Sequence, residues 1–309
     1  MSIRLLQTGF MAILAIPCID THAGPYSPPA GTEGSEAIHM DLTLFTGWAV
    51  GWTNYQVGAE TDPTWQTPMN ALGKAEGSFS NIVSLGAGGS ITMIFDPPIT
   101  DGPGPDFAVF ENSINHTFLE LAFVEVSADG TNFHRFPSHS LTPSLVPSFG
   151  SIDASDISGL AGTFIQGFGA PFDIAELPPT PECNLNQVRW VRLIDIIGGG
   201  PTLDSFGNKI FDPTPTVQSA GFDLDAIGVI HFALMTELTA DRNDVRVLFD
   251  APTNRMYHVE FTSDLTQPDQ WTIISEFIYG DNASHSMIHE NPFAGAGAYR
   301  VVINLLSSL

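Results

Sequence analysis

Five aspartates and an asparagine crowd one stretch of this chain: Asp195, Asp204, Asn208, Asp212, Asp223 and Asp225. Carboxylates and amides in loops suit Ca²⁺, which takes roughly six to eight oxygens in a flexible geometry. Asp204-Ser-Phe-Gly-Asn208 has the carboxylate, glycine and amide of a calcium loop, without the spacing of an EF-hand. Asp223 and Asp225 stand two apart, so on a regular strand they would share a face. The competing reading is turn chemistry, because Asp and Asn also start turns and cap loops.

A second acidic group is Asp101, Asp106, Glu111 and Asn112. Asp106 and Glu111 are five apart, which on a strand points them to opposite faces. A glycosidase would need two carboxylates about 5 to 9 Å apart across a sugar. Glu111, Glu120, Glu125, Asp173 and Glu176 are available, but nothing in their spacing selects a pair. His-Glu-x-x-His and a serine nucleophile elbow are both missing, and Gly86-Ala-Gly-Gly89 lacks the Lys-Ser/Thr of a phosphate loop. Trp48, Trp52, Tyr55 and Trp65 cluster early and could form a stacking platform for a glycan. Large aromatics are more often core, and that alternative stays open.

The elements that must position these residues read as strands. Glycine and proline punctuate short apolar runs rich in Val, Ile, Phe and Thr, and no window keeps a helical period. Ser90–Phe95 should be a strand ended by Asp96-Pro97-Pro98, and Asp106–Glu111 another. Glu120–Ser127 should turn at Ala128-Asp129-Gly130 and return through Phe136 as a tight hairpin, with Glu125 facing outward. Pro137–Leu185 reads as mostly irregular, Gln187–Ile197 as a buried strand, Gly198–Gln218 as a polar loop, and Ala226–Leu234 as the closing strand. A boundary falls near Thr236–Asn243, after which short strands recur at even spacing.

In order, Ser90-Ile-Thr-Met-Ile-Phe95, Phe123-Val-Glu-Val-Ser-Ala-Asp-Gly130, Val188-Arg-Trp-Val-Arg-Leu193 and Phe222-Asp-Leu-Asp-Ala-Ile227 resemble the galactose-binding-like jelly roll of discoidin domains and many carbohydrate-binding modules. Trp190 stands where that pattern has Tyr. Asp106-Phe-Ala-Val-Phe-Glu-Asn112 and Gly221-Phe-Asp-Leu-Asp-Ala226 look closer still to uncharacterised bacterial cell-surface proteins. Tyr257-His-Val-Glu-Phe-Thr-Ser-Asp-Leu265, Trp271 and Tyr299-Arg-Val301 are similar to small fibronectin type III-like modules. The resemblance implies export, a surface role and a structural calcium. It assigns no activity, since a fold does not license a function.

The ends agree with export. Arg4, an apolar run through Ile19 and Thr21-His22-Ala23 have the three-part layout of a secretory signal, with cleavage expected after Ala23. Cys183 is then the only cysteine, so no internal disulfide is expected. The net charge of -24 argues against nucleic acid and anionic membranes as partners. The expectation is therefore an all-β protein: a signal peptide at 1–23, a jelly-roll-like β-sandwich over 24–235 and a second, smaller β-sandwich over 236–309. It is expected to be a secreted or surface binding protein, calcium-stabilised, recognising a glycan or another surface polymer. The alternatives are a polysaccharide hydrolase or lyase and a structural envelope component.

Overall fold

The computed structural model describes residues 24–178, 185, 187–233, 236–241, 244–251, 255–264, 266, 270–281, 283–290 and 297–305. The expected signal peptide with Cys18, and Cys183, lie outside them. The protein is all-β. A five-stranded antiparallel sheet runs in the order Gly51–Gln56, Ser90–Ile99, Val188–Asp195, Ala122–Ser127, His134–Arg135. A six-stranded antiparallel sheet runs Ile38–His39, Phe168–Phe172, Phe107–Glu111, Asp223–Val229, Gly47–Trp48, with Val83–Ser84 also paired to Asp223–Val229. From Gly51 onward the chain passes repeatedly between the two sheets, the winding of a jelly roll.

Period-two patterning builds the layer between the sheets. Ile91, Met93 and Phe95 from one strand, and Val191 and Leu193 from its neighbour, meet Phe107, Val109, Leu224 and Ile227 of the opposite sheet in one buried core. The Phe107–Glu111 and Asp223–Val229 strands are buried along their whole length, because Ala108, Phe110 and Ala226 pack on their outer side under Phe45. Such strands read as continuous apolar runs rather than alternating ones.

Thr236–Asp241, Asp244–Ala251 and Ala283–His289 form one small sheet. Arg255–Thr262 pairs with Thr272–Ile273, Ile278–Tyr279 and Ala298–Leu305 in another. Val247 and Phe249 of the first and Tyr257 and Val259 of the second share a core, which makes a smaller sandwich.

Several local expectations need correcting. The Ser90 strand continues through Asp96-Pro97-Pro98 to Ile99, accommodated by a register shift against Val188–Trp190. The supposedly irregular 137–185 contributes Phe168–Phe172 to the main sheet, and 198–218 holds a hairpin of Gly199–Leu203 with Lys209–Phe211. The Asp129-Gly130 hairpin forms, but not as a two-residue turn. Asp129 caps the backbone N–H groups of Thr131 and Asn132, and Gly130 alone has positive φ. Glu125 does not face outward freely: it is buried and paired with Arg135 and Arg192.

Candidate cation site

Four strand ends create the site. Glu111 is the last residue of its strand and Asp223 the first of the antiparallel neighbour, so both lie at the same end of one sheet. Asp195 ends its strand opposite Ala122, and Glu120 lies two residues before Ala122, in the other sheet. Asp212 comes from beyond the Lys209–Phe211 strand and accepts from Leu121 N at 2.6 Å. Five carboxylates therefore converge where the two sheets open, and all five are buried.

Carboxylate oxygens of Glu111, Glu120 and Asp223 lie within 4.8 Å of one another. Glu111 accepts from Ser113 N at 2.7 Å, and Glu120 from Gly221 N at 3.1 Å. Asp195 is bonded at both oxygens, by Gly88 N at 2.8 Å and Phe222 N at 2.7 Å. Asp223 differs: its Oδ1 is buried and accepts no hydrogen bond, in a residue only 2% exposed. An unsatisfied buried carboxylate oxygen is costly, and polar atoms in native interiors almost always find partners.

Electrostatics sharpen the point. Among the described residues, no Lys, Arg or His forms an ion pair with any of the five. Glu125, by contrast, has two arginines. Burial pushes Asp195 up to about 8, and Asp223 to about 7 against the pull of Ser219, Ser84 and Asn112. Burial, then the neighbouring carboxylates, push Glu111, Glu120 and Asp212 well above their ordinary range. Such a group must hold protons or a cation. The donors are all hard oxygens, which suit Ca²⁺ rather than zinc.

A cleft borders part of the cluster. It measures about 430 Å³ and has Glu120, Asp223 and Asn112 in its lining, with Phe79, Phe118 and Phe149.

Of the six residues singled out in the sequence, Asp195, Asp212 and Asp223 come together and three do not. Asp204 and Asn208 close their own turn: Asp204 accepts from Phe206 N, Asn208 N, Asn208 Nδ2 and Ser140 N. Although burial opposes it, those bonds hold its carboxyl below the ordinary range. Asp225 turns away because it is the extra residue of a bulge. Leu224 opposes Glu111 and Ala226 opposes Phe110, so Asp225 has no opposite number, and it accepts from Glu76 N and Gly77 N. Sharing a face with Asp223 required a regular strand, and the strand is not regular there.

The remaining candidates disperse. Asp106 is bonded by Gly102 N, His231 Nδ1 and Ile174 N, beside Asp101 and Asp173 but apart from Glu111. Asp173 caps a short 3₁₀ turn, and Glu176 lies in a separate cleft with Glu36. Trp48 packs on Phe45 and Phe110, Tyr55 packs against the main core and donates to Ser84 O, Trp52 is exposed on the same strand as Tyr55, and Trp65 lies in a short 3₁₀ turn, so the four make no common platform. Sequence reasoning did not bring Glu111 and Glu120 together with Asp223. The available signal was an acid inside or beside an otherwise unbroken apolar run, Phe-Ala-Val-Phe-Glu111 and Glu120-Leu-Ala-Phe.

Fold and site together define an all-β sandwich protein with a buried acidic cluster at one end of its larger sandwich. Compared with known proteins, the chain matches no family model and no curated protein. No helix among the described residues is long and apolar enough to cross a membrane.

Proposed function

We propose that the chain is an exported, surface-located binding protein whose larger sandwich is held at one end by a calcium ion on Glu111, Glu120 and Asp223. The carrying observation is the buried Asp223 Oδ1 without a hydrogen bond, among carboxylates that have no cationic partner among the described residues. Calcium would draw together strand ends from both sheets and offset their mutual repulsion. Export is supported by the leader-like 1–23. The jelly-roll winding, with its loops gathered over an accessible cleft, supports binding as the activity.

The test is a thermal melt of the purified full chain in chelator and in calcium, with metal analysis of the untreated protein. A ligand at about a hundredfold its Kd stabilises by about 2.7 kcal/mol, which for a domain of this size raises Tm by roughly 5 to 10 °C. Glu120→Gln and Asp223→Asn should abolish that rise. Protein purified without metal, and melting at one temperature in both buffers, would overturn the proposal.

A further inference from the structure

Gly24 is seated in a closely fitted place on the larger sandwich. Its N–H donates to Ser155 Oγ at 2.7 Å, and Ser155 is buried. That hydroxyl donates in turn to Asp153 Oδ1 at 2.7 Å, and the same oxygen accepts from Ser155 N at 3.0 Å. Ser155 is thus held at the middle of a 3₁₀ turn, Ala154–Asp156, with Asp153 as its cap. A Cβ on Gly24 would fall 2.1 Å from Ser155 O and 2.4 Å from Asp156 Oδ1, so only glycine fits. Pro25 stiffens the next link. Tyr26 then fastens it: its N–H donates to Ser155 O at 3.0 Å, and its hydroxyl bonds to His139 Nδ1.

We infer that residues 153–156 form a docking site for the chain's own freed amino terminus: cleavage between Ala23 and Gly24 leaves an α-ammonium group that pairs with Asp156 and keeps Ser155 Oγ as acceptor. The inference rests on the export part of the reading above and goes beyond it; the calcium part is not involved. Two independent observations meet at one peptide bond. Thr21-His22-Ala23 puts small residues where a signal peptidase reads them, which makes Gly24 the first residue of the processed chain. The fold, for its part, seats a glycine there and no larger residue. Cleavage changes the chemistry of that nitrogen. A peptide nitrogen carries one hydrogen and no charge. Hydrolysis adds water across the bond, leaving Ala23 a carboxylate and Gly24 an ammonium with three hydrogens. An α-amine has an ordinary pKa of about 7.7 to 8.0, so near neutral pH it is mostly charged. One hydrogen serves Ser155 as before. Asp156 can take a second. A Cβ lies about 2.5 Å from its own nitrogen, so Asp156 Oδ1 is no more than about 5 Å from the amine. A chain end with no residue before it can turn far enough to close that pair, and the hydrogen bonds of Tyr26 keep the turn short.

The experiment expresses the full chain in an export-competent bacterial host and reads the first residue of the exported protein by mass spectrometry. Expected is Gly24. Its α-amine is then acetylated with limiting reagent at pH 7, and the rate is compared with that of the free peptide Gly-Pro-Tyr-Ser. Only the unprotonated amine reacts, and an ammonium held by a carboxylate gives up its proton less readily. The protein should therefore react at least about tenfold more slowly than the peptide, a factor that one pKa unit supplies. Asp156→Asn and Gly24→Ala, each checked for an intact fold by melting, should restore most of the peptide's rate. An exported chain that begins at another residue overturns this inference and leaves export standing. So does an amine that reacts at the peptide's rate, or one that stays equally slow in Asp156→Asn. A chain that keeps its leader, or that never leaves the cytoplasm, overturns both.

Discussion

At the scale of single residues, the contrast between Glu125 and Asp223 is the informative one. Both are acids on buried strands. Glu125 is neutralised by Arg135 and Arg192, whose guanidinium groups also stack on Phe123 and Phe133. Asp223 has hydroxyl and amide neighbours only, and one oxygen has no donor. The backbone between the carboxylates is equally constrained. Gly221 has φ +70°, its N–H donates to Glu120 and Thr216, and the next N–H donates to Asp195. A Cβ there would fall 2.5 Å from Asp195 Oδ1 and 3.0 Å from the Gly86 carbonyl carbon. Gly221→Ala should therefore cost about 2 kcal/mol or more in urea unfolding, from left-handed strain plus the clash. On the proposed reading it should also weaken calcium binding, because relieving the clash moves the Gly221 N–H that fixes Glu120. A variant as stable as the parent would show that the approach of Gly221 to Asp195 does not constrain the site.

At the scale of elements, the strands were legible and their pairings were not. Apolar runs such as Ser90–Phe95 and Val188–Leu193 announce strands because an inward-facing sheet surface demands them. Which strand ends meet is a long-range matter: Glu111 and Asp223 are neighbours only because their strands pair antiparallel, across more than a hundred residues of chain. Asp204 and Asn208 looked like ligands because turn-closing and calcium-binding residues are the same residue types. The bulge that ejects Asp225 has no local marker, since Asp-Leu-Asp-Ala carries no glycine. The separation of the turn from the cation site is testable. Asp204→Ala removes four hydrogen bonds that close the Gly199–Leu203 hairpin and tie it to Ser140. It should cost about 1 to 3 kcal/mol in denaturant unfolding with calcium affinity unchanged in titration. A calcium affinity that falls with Asp204 would place the hairpin in the site.

At the scale of the whole molecule, the buried acids make stability depend on pH in a direction opposite to that of ordinary surface carboxylates. Asp195 and Asp223 are raised to about 8 and about 7 by burial, and Glu111, Glu120 and Asp212 are raised well above their usual range. In the ordinary carboxylate range the unfolded chain releases these protons while the metal-free native state keeps them. The native state then binds more protons, so stability is greatest in acid and falls as pH rises towards about 7 to 8. The slope is about 1.4 kcal/mol per pH unit for each excess proton. On the proposed reading calcium takes the place of the protons, so its stabilisation should grow over the same window. Melts in chelator between about pH 5 and pH 8 should show Tm falling, and melts in calcium a much flatter line. Repulsion from the overall charge of -24 would also lower Tm at high pH, so the variant comparison decides between the two causes. Asp223→Asn has nothing to ionise at that position. In chelator at about pH 8 it should be more stable than the parent, although calcium no longer helps it. If Asp223→Asn instead melts below the parent in chelator at that pH, the buried charge is not what limits the metal-free fold, and the slope belongs to the surface.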